Sequence, residues 1–93
     1  MAKVKLKLYS ASLGVVAGKT FDVELADGAS LGDFLQDVSR RLNFHNILLE
    51  KNGRIKRGFA ILINGTGMYN LDGLDTVLKD GDEIAILSFI TGG

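Results

Sequence analysis

Apolar and polar residues alternate one for one from Lys3 to Ser10, with Val4, Leu6 and Leu8 on one side and Lys3, Lys5 and Lys7 on the other. Side chains of an extended chain point alternately to opposite faces, so this stretch predicts a half-buried strand with a solvated lysine row. Ala11 to Lys19, which contains Gly14 and Gly18, predicts a hairpin connection. A second strand follows, with Phe21, Val23 and Leu25 inward and Asp22 and Glu24 outward. Its acids fall beside the lysines of the first strand as favourable cross-strand neighbours. From Leu31 the period changes. Leu31, Phe34, Leu35, Val38 and Leu42 recur at spacings of three and four, the stripe of an amphipathic helix that ends near Asn43. Ser30 opens it, and Asp33 completes a capping box with a shorter acid than the usual Glu or Gln. Asp37 and Arg41 are spaced as a favourable i,i+4 pair.

The pattern is least regular from Phe44 to Gly58. Leu48-Leu49 precedes the turn dipeptide Asn52-Gly53, which predicts a short hairpin. Lys51, Arg54, Lys56 and Arg57 lack interleaved aromatic residues, so they read as a solvated loop rather than a nucleic-acid surface. His45 has no second histidine and no cysteine to join it, and reads as a loop or helix-end residue. Phe59 to Ile63 is a continuous apolar run between Gly58 and Asn64-Gly65, a strand covered on at least one face. Gly65 and Gly67 are not followed by Lys-Ser/Thr and make no phosphate-binding loop. Leu71 to Leu78 predicts a brief helical turn, Lys79-Asp80-Gly81-Asp82 a tight acidic turn, and Ile84 to Leu87 the closing strand. Strand, strand, helix, strand, short element, strand describes an α+β roll. Its mixed sheet has four to five strands, with one main helix packed across one face.

Composition narrows the function more than the fold. Ninety-three residues make a single domain, 1–93. Eleven basic residues balance eleven acidic ones, so no net field draws the chain to nucleic acid. The absence of cysteine excludes disulfides and thiolate–metal sites. The start, Met-Ala-Lys-Val-Lys, lacks the apolar stretch of a secretory signal, and no segment approaches the ~20 apolar residues of a membrane span. The expected setting is cytoplasmic, away from membranes. One histidine cannot build a Ser/His/Asp set on carboxylates that fall on solvent faces and turns, so the chain is not expected to be an enzyme.

The chemistry is expected at the end of the chain. Ser88-Phe89-Ile90-Thr91-Gly92-Gly93 follows the closing strand as a tail, and six extended residues reach at most about 20 Å. Two glycines without Cβ can thread a slot too narrow for other residues. An α-carboxyl ionises near about pH 3.5, so a terminal carboxylate is a nucleophile at neutral pH.

GFAILING at Gly58 to Gly65, GLDTVLKDGDEIAIL at Gly73 to Leu87 and the closing Gly92-Gly93 resemble the ubiquitin-like sulfur carriers. Within that family they are most similar to the small subunit of molybdopterin synthase and the archaeal small modifier proteins. Where molybdopterin-type members often carry prolines before the tail, this chain has Ser88-Phe89-Ile90-Thr91. The resemblance implies a ubiquitin-like β-grasp fold with a flexible tail over 88–93, and a site at the Gly93 carboxyl. An adenylating enzyme of the ubiquitin-activating type would use Mg-ATP to activate Gly93, the chain itself binding no cofactor. A sulfur donor would then convert the acyl-adenylate to a thiocarboxylate, for delivery through a large molybdopterin synthase-like subunit or to transfer RNA. Alternatively, a target-protein lysine would take the acyl group as an isopeptide. Phe89, Ile90, Thr91 and Gly92 would be held by the partner, or Phe89 would finish the core instead. The competing expectation is a non-catalytic β-grasp protein-binding module with an incidental diglycine.

Overall fold

The computed structural model describes residues 1–10, 13 and 15–88. The alternating N-terminal pattern forms β1, Ala2–Ser10, paired antiparallel with β2, Val15–Leu25. Lys3 faces Glu24 and Lys5 faces Asp22 across the pair, while Leu6 faces Phe21 on the apolar side. The helix α1, Leu31–Arg41, carries the predicted capping box in both directions. Asp33 N–H donates to Ser30 Oγ at 3.1 Å, and Ser30 N–H donates to Asp33 Oδ2 at 3.3 Å. The shorter acid therefore suffices. A single-turn helix, α2, His45–Leu48, follows. Then come β3, Phe59–Ile63, β4, Thr66–Gly67, and β5, Glu83–Ser88, with 3₁₀ turns at Met68–Asn70 and Gly73–Asp75 between the last two.

The five strands form one mixed sheet in the order β2-β1-β5-β3-β4. The last strand in sequence is the middle strand in space, parallel to β1 and antiparallel to β3. This is the β-grasp arrangement. Val4, Leu6, Leu8, Ile61, Ile63, Ile84 and Ile86 point from the sheet to α1, which answers with Leu31, Phe34, Leu35 and Val38. Phe34, Leu35, Leu6, Ile84 and Ile86 are fully excluded from solvent.

Three expectations change in detail. The hairpin connection was expected to run to Lys19, but β2 begins at Val15, with Gly18 inside it at φ +82°. The register shifts between the Leu8–Lys19 and Ser10–Val15 pairs, and the irregularity absorbs the glycine. A Cβ at Gly18 would lie 2.6 Å from Tyr9 Cε1, so the strand has glycine where a tyrosine ring lies on its backbone. Leu42 leaves the apolar stripe: it caps the end of α1 and is exposed, because Asn43 turns the chain into the left-handed region at φ 63°. The Asn52-Gly53 hairpin contracts to a turn closed by one bridge between Leu49 and Ile55.

Candidate functional site

All five residues of the predicted site, Phe89, Ile90, Thr91, Gly92 and Gly93, lie outside the described residues. What the fold defines is where the chain is delivered to them. Ile84 and Ile86 lock β5 into the core, and Ser88, its last residue, pairs with Phe59 at the start of β3. On the other side, Leu87 pairs with Tyr9 near the end of β1. The exit therefore lies at one end of the sheet, between its two central neighbours. Ser88 belongs to the strand, so the five residues from 89 to 93 can extend at most about 18 Å from it.

The acidic turn anchors the opposite end of β5. Lys3 N–H donates to Asp80 Oδ1 at 2.8 Å, and Gly81 N–H donates to the Lys3 carbonyl at 2.8 Å, tying the turn to β1. Asn64 Nδ2 donates to Asp82 Oδ1 at 2.9 Å, while Glu83 N–H donates to Asn64 Oδ1 at 2.9 Å, tying it to the β3–β4 turn. Asp82 Oδ2 also accepts from Lys79 N–H at 2.8 Å, closing the turn on itself. Short side chains that accept from the backbone are what this turn needs. The strand leading to the exit is thus held from both sides at its start.

Around the exit, the sheet face turned away from α1 is apolar. Strand periodicity places Ala85 and Leu87 of β5 and Ala60 and Leu62 of β3 opposite the buried isoleucines. The register aligns Tyr9, Leu87 and Ala60 in one row and Lys7, Ala85 and Leu62 in the next. All four apolar residues of β3 and β5 are half-buried and Tyr9 is 49% exposed, with no element of this chain covering them among the described residues. Sequence reasoning proposed Phe89 and Ile90 as the partner contacts and missed this face. The signal was present in β5, where Ile84-Ala85-Ile86-Leu87 is apolar at every position although one layer of helix covers only one side.

The patch has a charged border. Lys7 Nζ reaches Glu83 Oε1 at 2.9 Å across β1 and β5, so this lysine is paired to β5 rather than to the acids of β2. The hydrogen bond and charge of Lys7 hold the Glu83 carboxyl below the usual carboxylate range, and Glu83 in turn raises Lys7. Among the described residues, no group of three or more His, Asp or Glu side chains is placed to hold a metal. Among the described residues no helix is long and apolar enough to cross a membrane.

A model of the ThiS family matches residues 8–93 of the chain. Over 91 residues the chain is 28% identical to small archaeal modifier protein 3 of Haloferax volcanii, an alignment covering 98% of this chain and 99% of that relative. The structure is similar to the solution structure of small archaeal modifier protein 1 from Methanosarcina acetivorans. The TM-score is 0.72 at 30% identity, covering 100% of this chain and 98% of the other. Similarity to the crystal structure of the Haloferax volcanii SAMP1 has a TM-score of 0.80 over 99% of this chain and 100% of the other. At 22% identity that likeness speaks to the fold.

Proposed function

The chain belongs to the ThiS family, and from that premise we propose that its carboxyl at Gly93 is the group that is activated and transferred. It is a ubiquitin-like protein of the small sulfur-carrier and modifier type. The observation that carries the proposal is that β5, the central strand of the sheet, leads to the tail beside an apolar face that none of the described residues covers. The family match, which runs through Gly93, supports the same reading.

The chemistry follows from the poor electrophilicity of a carboxylate. An adenylating enzyme would bring Mg-ATP to the tail. A Gly93 oxygen would attack the α-phosphorus, pyrophosphate would leave, and the carbonyl would then carry AMP as a good leaving group. A sulfur nucleophile that displaces AMP leaves a thiocarboxylate, a soft donor for a thiolation reaction. A lysine amine that displaces AMP leaves an isopeptide bond and a proton. In each case the chain contributes the acyl group and a docking face, and the partner contributes the electrostatic stabilisation of the phosphoryl transfer. Tyr9, Leu62 and Leu87 form the centre of that face, and the Lys7–Glu83 pair lies on its polar border.

An N-terminally tagged copy expressed in its source organism tests this beside a version lacking Gly92-Gly93. The expected result is a species with one terminal oxygen replaced by sulfur, or lysine conjugates carrying Gly-Gly remnants, in the full chain alone. Identical behaviour of the two versions would overturn the proposal and leave a protein-binding module.

A further inference from the structure

A second feature lies away from the apolar sheet face. Between α1, α2 and the segment that follows α2 is a cleft of about 320 Å³. That size is at the lower end of small-molecule sites, roughly 300–1,000 Å³. Arg40 from α1 and Lys51 and Lys56 from the following segment line it. Ion pairs among the described residues join Met1 to Asp27, Lys7 to Glu83 and Arg41 to Asp37, so none engages these three cations. Lys56 spends one donor on the Asn46 carbonyl at 2.6 Å. Glu50 is the one acid in the lining, which leaves an excess of two positive charges.

His45 carries the independent observation. The residue lines the same cleft, and its Nδ1 is shut off from solvent with no hydrogen-bond partner among the described residues. Buried polar nitrogens are nearly always paired, because leaving one unpaired forfeits its hydration with no return. A ligand that enters the cleft meets a donor-only guanidinium fork and two ammonium groups, and a shift of the His45 ring on binding would bring its unsatisfied nitrogen to the same ligand. The carboxamides of Gln36 and Asn46 are at its sides and Leu49 is among its apolar lining. Paired cationic donors suit the several oxygens of a phosphate, and the imidazole and amides suit the neutral part of the same molecule.

We propose that this cleft binds a small phosphorylated molecule of up to about mononucleotide size, independently of the chemistry at the tail. Carboxylates share the oxyanion chemistry, and the experiment separates the two. Amide resonances of the full ¹⁵N-labelled chain are followed during titration with pyrophosphate, AMP, citrate and adenosine. The expected result is saturable shifts confined to residues 36–56 with pyrophosphate and AMP, weaker ones with citrate and none with adenosine. Arg40→Ala and Lys51→Ala, both at exposed positions, should each weaken AMP binding about tenfold. His45→Asn, which keeps a polar atom near Nδ1, should bind better than His45→Phe. A copy lacking Gly92-Gly93 should bind AMP as the full chain does, so that loss of tail chemistry and loss of this site are read separately. Citrate binding as tightly as pyrophosphate would overturn the phosphate assignment. Shifts that never saturate, or that spread to Lys3, Lys5 and Lys7, would overturn the site, as would Arg40→Ala and Lys51→Ala proteins that bind like the parent.

Discussion

Tyr9 and Gly18 set the edge of the apolar face between them. The ring lies where a Cβ of residue 18 would be, and the strand adopts φ +82° there, a conformation that L side chains pay to enter. Gly18→Ala should cost about 1–2 kcal/mol through the backbone alone. It should also displace the tyrosine, changing the near-ultraviolet circular dichroism. Urea unfolding and that spectrum check both; an unchanged midpoint would mean that the strand relaxes out of its left-handed turn. In the sequence Gly18 reads only as a loop residue. Its role depends on a tyrosine nine positions away that the hairpin register brings over it. The capping pair Ser30 and Asp33 was legible because both partners lie within one turn.

At the scale of elements, β5 holds two functions on its two faces. Ile84 and Ile86 build the core, and Ala85 and Leu87 build the outer face with Ala60 and Leu62. Leu87→Glu, at a half-buried position outside the core, should therefore cost about 1 kcal/mol of stability, the span of strand preferences in a host sheet. Removing a central apolar anchor and placing a charge there should weaken binding to the activating enzyme of its own organism by at least about tenfold. Titration calorimetry of parent and variant reads this directly. Equal affinity would move the docking surface elsewhere, whereas unfolding would show that Leu87 belongs to the core. β1 and β2 were legible from their alternation, and β3 and β5 from apolar runs bounded by turn residues. Beyond the β1–β2 hairpin their neighbours were not, because strand order is decided by which apolar faces meet and a local pattern carries no information about that.

Over the whole chain the charges cancel in number, and among the described residues two pairs of side chains close on each other, Lys7 with Glu83 and Arg41 with Asp37. Arg41 hydrogen-bonds Asp37 and holds its carboxyl below the usual range, as Lys7 does for Glu83. A carboxyl whose folded-state pKa is lowered contributes stability above its unfolded pKa and loses it as pH falls through the folded value. Lys7 and Arg41 are raised, so their contributions are present below their unfolded values and are lost only in strongly alkaline solution. The protein should lose stability as pH falls from about 5 to about 2, and the double variant Glu83→Gln, Asp37→Asn should lose less over the same interval. Chemical unfolding at both ends of that window checks it. A double variant as acid-sensitive as the parent would assign the loss to other carboxylates. Both pairs are exposed, so added salt should shrink their share.

The sequence by itself determined the main helix, four of the five strands, the helix cap, the i,i+4 pair, the acidic turn and the family, because each rests on residues near one another along the chain. It pointed to Gly92-Gly93 for the same reason. Only the tertiary structure made the last strand the middle one, laid Tyr9 over Gly18, paired Lys7 with Glu83 and collected Arg40, His45, Lys51 and Lys56 around one cleft. Those relations are between segments far apart or of opposite direction, and they exist only once burial of the isoleucine and leucine faces against α1 has chosen which strands become neighbours.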